Sequence, residues 1–464
     1  MPVKLKFCGG VRTVTGSNHL LITDKSRILI DSGIFYGHRE EFYSVNSSFS
    51  YKVHKLDAVI ISHAHIDHCG NVPSLIKRGL RCRIFSTSAT RSLCRLMLAD
   101  SGKIQEEDIH YLNKVNRKLG LPLRQALYTK KEGGRSVKKF RGIAYGQRFK
   151  IAKDVVLTFV NAGHILGSAV VVLDIVQKNK KLRLGYAVDL GRSGLPILDG
   201  PVAPDGLDYL VMETTYGGRF HPSSIDAKKQ FKEIINRTIA RNGKVIIPSF
   251  ALERAQEVIY LLNELLKEKA IPSVPVYVDS PLAIDITEVF KDNLAFLDEK
   301  TRTLIRTKQS PFEFLNLKYT RSRRESKVLN EDKRPMIIIA GSGMCEAGRI
   351  LHHLKNNIED SRNTVLIVGY TARDTLGDRI RRKEKFVKIF GIEHQLNAEV
   401  EVVAGFSVHA DSNGLLDYVK NYPKLKQVFL VHGDEDQSQA FYKRLIDEKI
   451  PTYMPVKDEE LILD

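Results

Sequence analysis

Short runs rich in β-branched residues, each closed by a turn or a polar cluster, recur along this chain: RILIDSG, DAVIISHAH, VLTFVNAGH, LGYAVDLG, DYLVMETTYG, KVIIPSF, VYVDSP, MIIIAGSG, TVLIVGY and QVFLVHGD. Near-continuous apolar runs of this length read as strands buried on both faces, the habit of parallel sheets. Helical patterns separate several of them, among them ALERAQEVIYLLNELLKEK at 251–269 and AGRILHHLKNNIE at 347–359. Such alternation makes the chain an α/β protein. Its 464 residues, 43% of them hydrophobic, are material for two or three domains with buried cores.

The residues that carry chemistry stand where the runs end. Asp31, His63, His164, Asp189, Glu213 and His432 each follow apolar residues. Open α/β sheets bind ligands outside their strand ends, so this clustering predicts one shared site. Its densest part is ISHAHIDHCG at 61–70, an HxHxDH pattern of His63, His65, Asp67 and His68. A loop directly behind a buried strand can aim alternate residues at one point. His63 and His65 can then serve one ion while Asp67 and His68 turn toward a second. Nitrogen-rich ligation with some carboxylate suits Zn²⁺, with Mn²⁺ or Fe as alternatives, whereas Mg²⁺ and Ca²⁺ prefer oxygen shells. His164 in NAGHILGS and Asp189 in AVDLGR are further candidate ligands, the carboxylate being suited to bridge two cations.

Seventy-two Lys and Arg against fifty-four Asp and Glu leave a net charge of +18, which favours a polyanionic partner, nucleic acid first. The basic, weakly periodic segments 130–142 and 300–335 either line a groove for phosphates or form exposed loops. AGSGMCEAGR is a glycine-rich turn between a strand and a helix. Its backbone N–H groups suit a phosphate, with Ser342, Gly343 and Arg349 as candidate contacts. Five cysteines without CxxC spacing argue against a disulfide framework or a thiolate zinc site and fit a reducing cytoplasm. The amino terminus has no apolar segment and no stretch is long enough to span a bilayer, so no membrane association is expected.

HxHxDH at 63–68, with the later His164 and Asp189, resembles the metallo-β-lactamase superfamily. METTYG with Glu213, FSVHAD with His409 and LVHGDED with His432 resemble motifs A, B and C of its β-CASP branch, the nucleases of RNA processing. VYVDSPLAI at 276–284 and GSGMCEAGRILHHLK at 341–355 resemble bacterial and archaeal members, exonuclease-like relatives of the eukaryotic mRNA 3′-end cleavage subunit. The resemblance implies an αββα sandwich built from residues 1–208 and 396–464, with a β-CASP domain of parallel sheet and flanking helices inserted at 209–395. It implies two Zn²⁺, one held by His63, His65 and His164, the other by Asp67, His68 and His432, and bridged by Asp189. Asp31 is then an orienting residue behind the ligands.

The activity implied is hydrolysis of RNA phosphodiester bonds, internally or from the 5′ end, by a two-metal-activated hydroxide. Asp67, Glu213 and His409 would be catalytic, with Glu213 charging a His409 imidazolium that protonates the leaving oxygen, and products ending in 5′-phosphate and 3′-hydroxyl. In the resembled family a histidine at motif C, here His432, goes with RNA rather than DNA. The expected partner is single-stranded RNA, and the assembly state, including a homo-oligomer, is left open. A DNA nuclease of the same superfamily, a small ester or thioester hydrolase and an inactive RNA-binding subunit are the alternatives.

Overall fold

The computed structural model describes residues 2–37, 39–177 and 180–464. They separate into two compact units, Met1–Gly194, Asp199–Phe220 and His409–Asp464 forming the first and Leu195–Leu198 with His221–Val408 the second. Each apolar run named above contains a strand.

In the first unit two sheets face each other. One runs in the order Glu460–Leu463, Val3–Gly9, Asn18–Ile22, Arg27–Ile30, Ala58–Ile60, Ile84–Ser86, Phe140–Gly142; the other in the order Thr452–Tyr453, Gln427–Val431, Tyr209–Glu213, Lys180–Ala187, Ala169–Gln177, Val155–Asn161, Phe149–Lys150. Leu5, Phe7, Ile28 and Ile60 from the first meet Leu157, Phe159, Val171 and Val211 from the second in one apolar layer. The outer face of the second sheet, with Val170, Val172 and Met212, packs on Leu415 and Val419 of the helix Ser412–Lys420 and on Phe441 and Leu445 of the helix Glu435–Asp447. Alternation of inward and outward residues along each strand is what lets one sheet serve both layers.

Strand direction places the chemistry. Arg27–Ile30 and Ala58–Ile60 run parallel with Ile30 opposite Ile60, which brings Asp31 level with residues 61 and 62. Tyr209–Glu213 runs parallel both to Lys180–Ala187, with Met212 opposite Ala187, and to Gln427–Val431, with Glu213 opposite Val431. Asp189, Glu213 and His432 therefore leave the second sheet at one edge, as open α/β sheets present their ligand groups.

The second unit holds a sheet of parallel strands in the order Leu317–Tyr319, Val276–Asp279, Ile337–Ala340, Val245–Pro248, Thr364–Ile367, Glu399–Val402. A separate two-stranded hairpin pairs Phe386–Ile389 with Ile392–Gln395. The basic segments expected as groove or loop contain helices: Lys130–Ser136, Glu299–Arg306 and Arg323–Glu331, with Thr129, Asp298 and Ser322 capping their first N–H groups. No helix among the described residues is long and apolar enough to cross a membrane.

Phe159 is fully buried between the two sheets of the first unit. Phe159→Ala is expected to lower the stability of that unit by about 3–5 kcal/mol. Hydrogen exchange of the 155–175 peptides should accelerate accordingly.

Candidate metal centre

The HxHxDH segment divides by backbone shape. Residues 61–65 follow the strand Ala58–Ile60 as a loop that ends with His65 extended, and Ile66–Cys69 closes into a single helical turn. His63 and His65 thus point one way, and Asp67 and His68, on the turn, point another. The turn is fixed by Ser17, just before Asn18–Ile22, and by the segment after Arg27–Ile30: Ser17 N–H donates to Asp67 O (2.9 Å), Ser32 N–H to His68 O (2.8 Å) and Ile34 N–H to Ile66 O (2.9 Å). Gly33 permits that approach, since a Cβ there would lie 1.6 Å from the Asp67 carbonyl oxygen.

Two groups of ligand atoms result, His63, His65, His164 and Asp189 in one and Asp67, His68 and His432 in the other. In the first, His63 Nε2 and His164 Nε2 each lie 3.1 Å from His65 Nδ1, and Asp189 Oδ2 lies 3.1, 3.3 and 3.8 Å from the nitrogens of His63, His164 and His65. A tetrahedral zinc with bonds of about 2.0–2.1 Å separates its ligands by about 3.3 Å, so these four atoms are spaced to take one. In the second, Asp67 Oδ2 is 3.8 Å from His68 Nε2 and 3.7 Å from His432 Nε2. Asp189 spans both groups, its Oδ1 reaching His432 Nε2 at 3.2 Å and its Oδ2 His68 Nε2 at 3.5 Å. His68 Nε2 and Asp189 Oδ1 are buried with no hydrogen-bond partner among the described residues. Buried polar atoms seldom stay unsatisfied, and a cation between them satisfies both.

The outer nitrogens of His63, His68 and His432 are held as ligating histidines require, whereas His164 Nδ1 is buried with no hydrogen-bond partner among the described residues. Asp31 Oδ2 lies 2.8 Å from His68 Nδ1 and accepts from Ser62 Oγ–H (2.8 Å) and Tyr186 O–H (2.9 Å), while its Oδ1 accepts from Ser62 N–H (2.8 Å). Ser62 Oγ also contacts His63 Nδ1 at 3.0 Å, and Ser17 Oγ lies 2.8 Å from His432 Nδ1. Asp31, Asp189 and His432 all have left-handed backbones, φ 59°, 61° and 46°. Strained conformations of this kind gather where side-chain direction matters more than local comfort.

Charge follows burial. Desolvation drives His63 down to about 4, His164 well below its ordinary value and His432 downward, leaving neutral rings fit to bind metal. His68 is the exception: burial opposes its proton, but Asp189, Asp67 and Asp31 raise it to about 9. Burial likewise works against the Asp189 carboxylate, yet His432, His68 and His164 hold it well below the carboxylate range.

Glu213 and His409 stand beside this cluster. Glu213, fully buried, accepts from Leu190 N–H at 2.5 Å and faces His409 Nδ1 at 3.4 Å through the same oxygen, Oε1. The 408–410 segment is stitched to the Asp189 turn by Ala410 N–H donating to Leu190 O at 2.8 Å and by a bridge between Gly191 and His409. Against burial, Glu213, then Asp189 and Asp67, raise the His409 imidazole to about 9. Of these nine side chains His65, Asp67 and His409 keep the most exposure (28%, 24% and 21%), which marks the open side of the site.

Ser342, Gly343 and Arg349 belong to the second unit. Ser342 Oγ accepts from the N–H groups of Glu346 (3.2 Å) and Ala347 (3.3 Å), and Arg349 donates to Asp279 (2.5 Å) and to the carbonyls of Thr320 (3.0 Å) and Arg321 (2.7 Å). Ser17, Ser62, Tyr186 and Gly33 were not legible as site residues in the sequence. Ser62 and Gly33 at least adjoin motifs, whereas Ser17 meets His432 from 415 residues away.

Residues 20–200 match the family described as "Metallo-beta-lactamase superfamily domain", 255–380 the "Beta-Casp domain" and 393–455 the "Zn-dependent metallo-hydrolase RNA specificity domain". The chain is 35% identical over 437 residues to "Ribonuclease TTHA0252" of Thermus thermophilus, covering 94% of each. It is 31% identical over 468 residues to the "RNase J-like protein" of Methanocaldococcus jannaschii, covering 98% of each. With "Transcription termination factor FttA" of Methanosarcina mazei it shares 34% identity over 96% of this chain and 69% of that one.

Asp31→Asn removes the charge that orients His68. It is expected to weaken metal binding about 10- to 100-fold, read by competition with a chromophoric chelator.

Proposed function

The chain belongs to the β-CASP branch of the metallo-β-lactamase superfamily, and from that premise we propose that it is a zinc-dependent ribonuclease cutting single-stranded RNA to 5′-phosphate and 3′-hydroxyl ends. The observation that carries this reading is the Glu213–His409 pair beside two groups of metal-ligand atoms that share Asp189. A thioester hydrolase, whose thiolate leaves without being protonated, needs the ligands but not a separate proton donor of this kind. A phosphodiester, whose leaving oxygen has a high pKa, does.

His63, His65 and His164 would hold one cation, Asp67, His68 and His432 the other, and Asp189 would touch both. Cations held there supply Lewis acidity, which favours ionisation of water and neutralises phosphate charge. Water attacks phosphorus as its proton is drawn toward Asp67 on the open side. The bond from phosphorus to the 3′ oxygen breaks, and His409 gives that oxygen its proton. Glu213, anchored by the Leu190 amide, keeps the ring charged and aimed. On the second unit, Ser342 and Gly343 would meet an RNA phosphate, and Arg349 would brace their turn through Asp279. The printed names of the relatives, ribonuclease and RNase J-like protein, support RNA as substrate, as does the histidine at position 432.

Metal-loaded protein should cleave single-stranded RNA and spare DNA of matched sequence, and both Asp67→Ala and His409→Ala should lose at least about 100-fold in rate. Cleavage of DNA alone would overturn the substrate assignment.

Glu213→Gln removes the charge that raises His409. Because the acid must be protonated to work, activity falls as pH rises through its pKa. The variant's basic limb in kcat/KM is therefore expected at lower pH than that of the parent, and an unmoved limb would exclude His409 as the acid.

A further inference from the structure

The 386–395 hairpin of the second unit offers solvent an unusual face. Val387 and Ile389 are buried in the apolar core of that unit, while Phe386, Lys388 and Phe390 point outward. Phe386 is 46% exposed, Phe390 51% and the adjoining Ile392 56%. Two large rings flank a cation here, Phe386 on the outward side of the strand and Phe390 in the turn, and each keeps about half of its surface in solvent.

The turn makes the same point independently. Phe390 and Gly391 connect the paired residues Ile389 and Ile392, and both have positive φ, 52° and 79°. A two-residue hairpin turn with positive φ at both positions favours Asn-Gly or Asp-Gly. A bulky aromatic residue in the left-handed region is strained. Phenylalanine here gives up local stability to place a ring at the tip, and strain of that kind points toward function.

The surroundings are cationic. Lys383, Lys385 and Lys388 are exposed along the hairpin, with Lys385 Nζ 5.6 Å from the centre of the Phe386 ring. His352, exposed on the helix Ile350–Asn357, lies with its ring 4.8 Å from that of Phe390. After burial, the neighbouring His353, Lys355, Lys327 and Arg323 all push the His352 proton off, which reflects the positive field at this face. The acidic groups here are Glu393, opposite Lys388 in the hairpin register, Glu384, 3.0 Å from Arg382, and Glu359, 2.8 Å from His394.

Exposed rings interleaved with cations are how single-stranded nucleic acid is held without sequence choice, bases stacking on the rings while phosphates meet the charges. We propose that this hairpin is an accessory binding surface for single-stranded RNA, with Phe386 and Phe390 stacking bases and Lys385 and Lys388 meeting phosphates. The proposal rests on the ribonuclease reading for the identity of its ligand, and it assigns these residues no part in the chemistry.

Phe390→Asn is the informative variant, because Asn relaxes the turn while removing the ring. The hairpin should stay folded with thermal stability equal or higher. Metal content and hydrolysis of bis-(p-nitrophenyl) phosphate should match the parent. Affinity for a short fluorescent single-stranded RNA, titrated in an Asp67→Ala background, should fall about tenfold, and Phe390→Trp should retain it. Lys388→Gln should reduce the slope of log Kd against log salt by about 0.7, as for one lost phosphate contact. Unchanged RNA affinity and salt slope in these variants would overturn the proposal, as would a fall in affinity accompanied by loss of metal. If the parent cleaves the small diester but not RNA, the ribonuclease reading fails by itself, and the binding titration still decides the role of the hairpin.

Discussion

Asp189 is fully enclosed, yet its carboxylate must remain charged, and the metal centre is arranged around that requirement. A lone buried carboxylate is strongly disfavoured. Here five imidazole nitrogens, from His63, His65, His68, His164 and His432, converge on its two oxygens, so that a cation on either side would compensate its charge. The left-handed backbone at Asp189 turns the carboxylate into the gap, and the Leu190 amide that follows is fixed by Glu213. The residue that joins the two ligand groups is thus connected through one peptide to the proposed acid pair. The candidate ligands and the proposed acid pair are parts of one hydrogen-bonded assembly.

That assembly depends on strand direction more than on any single contact. Parallel pairing of Lys180–Ala187, Tyr209–Glu213 and Gln427–Val431 delivers Asp189, Glu213 and His432 to a common edge. The facing sheet does the same for Asp31 and the His63 segment. Close backbone approaches then lock the loops: Gly33 against Asp67, and Gly191, whose added Cβ would lie 1.8 Å from the Gly163 carbonyl oxygen, beside His164. Any side chain at either glycine would drive two ligand-bearing loops apart.

Much of this was legible in the sequence because chemistry and burial coincided there. Strands apolar on both faces announce themselves, and HxHxDH holds four candidate ligands within six residues. Strands with one solvent-facing side, such as Val3–Gly9 with its alternating burial, gave no comparable signal. The 32-residue helix Ser88–Leu119 is not announced by its sequence, since its weak amphipathic pattern spreads over many polar residues. Ser17 and Tyr186 act through partners far away in sequence, and no local pattern marks them. The Phe386–Phe390 face was hidden for another reason. A phenylalanine in a hydrophobic run reads as core until the structure fixes which side of the strand meets water.

The central claim is that one buried carboxylate joins two cation sites made of nitrogen and oxygen ligands. X-ray absorption at the zinc edge on the zinc-loaded protein tests it most directly. The account predicts a shell of nitrogen and oxygen at about 2.0–2.1 Å without sulfur and a second zinc at about 3.5–4 Å. A sulfur shell near 2.3 Å, which would bring in a cysteine such as Cys69 beside His68, or a single isolated zinc would contradict it.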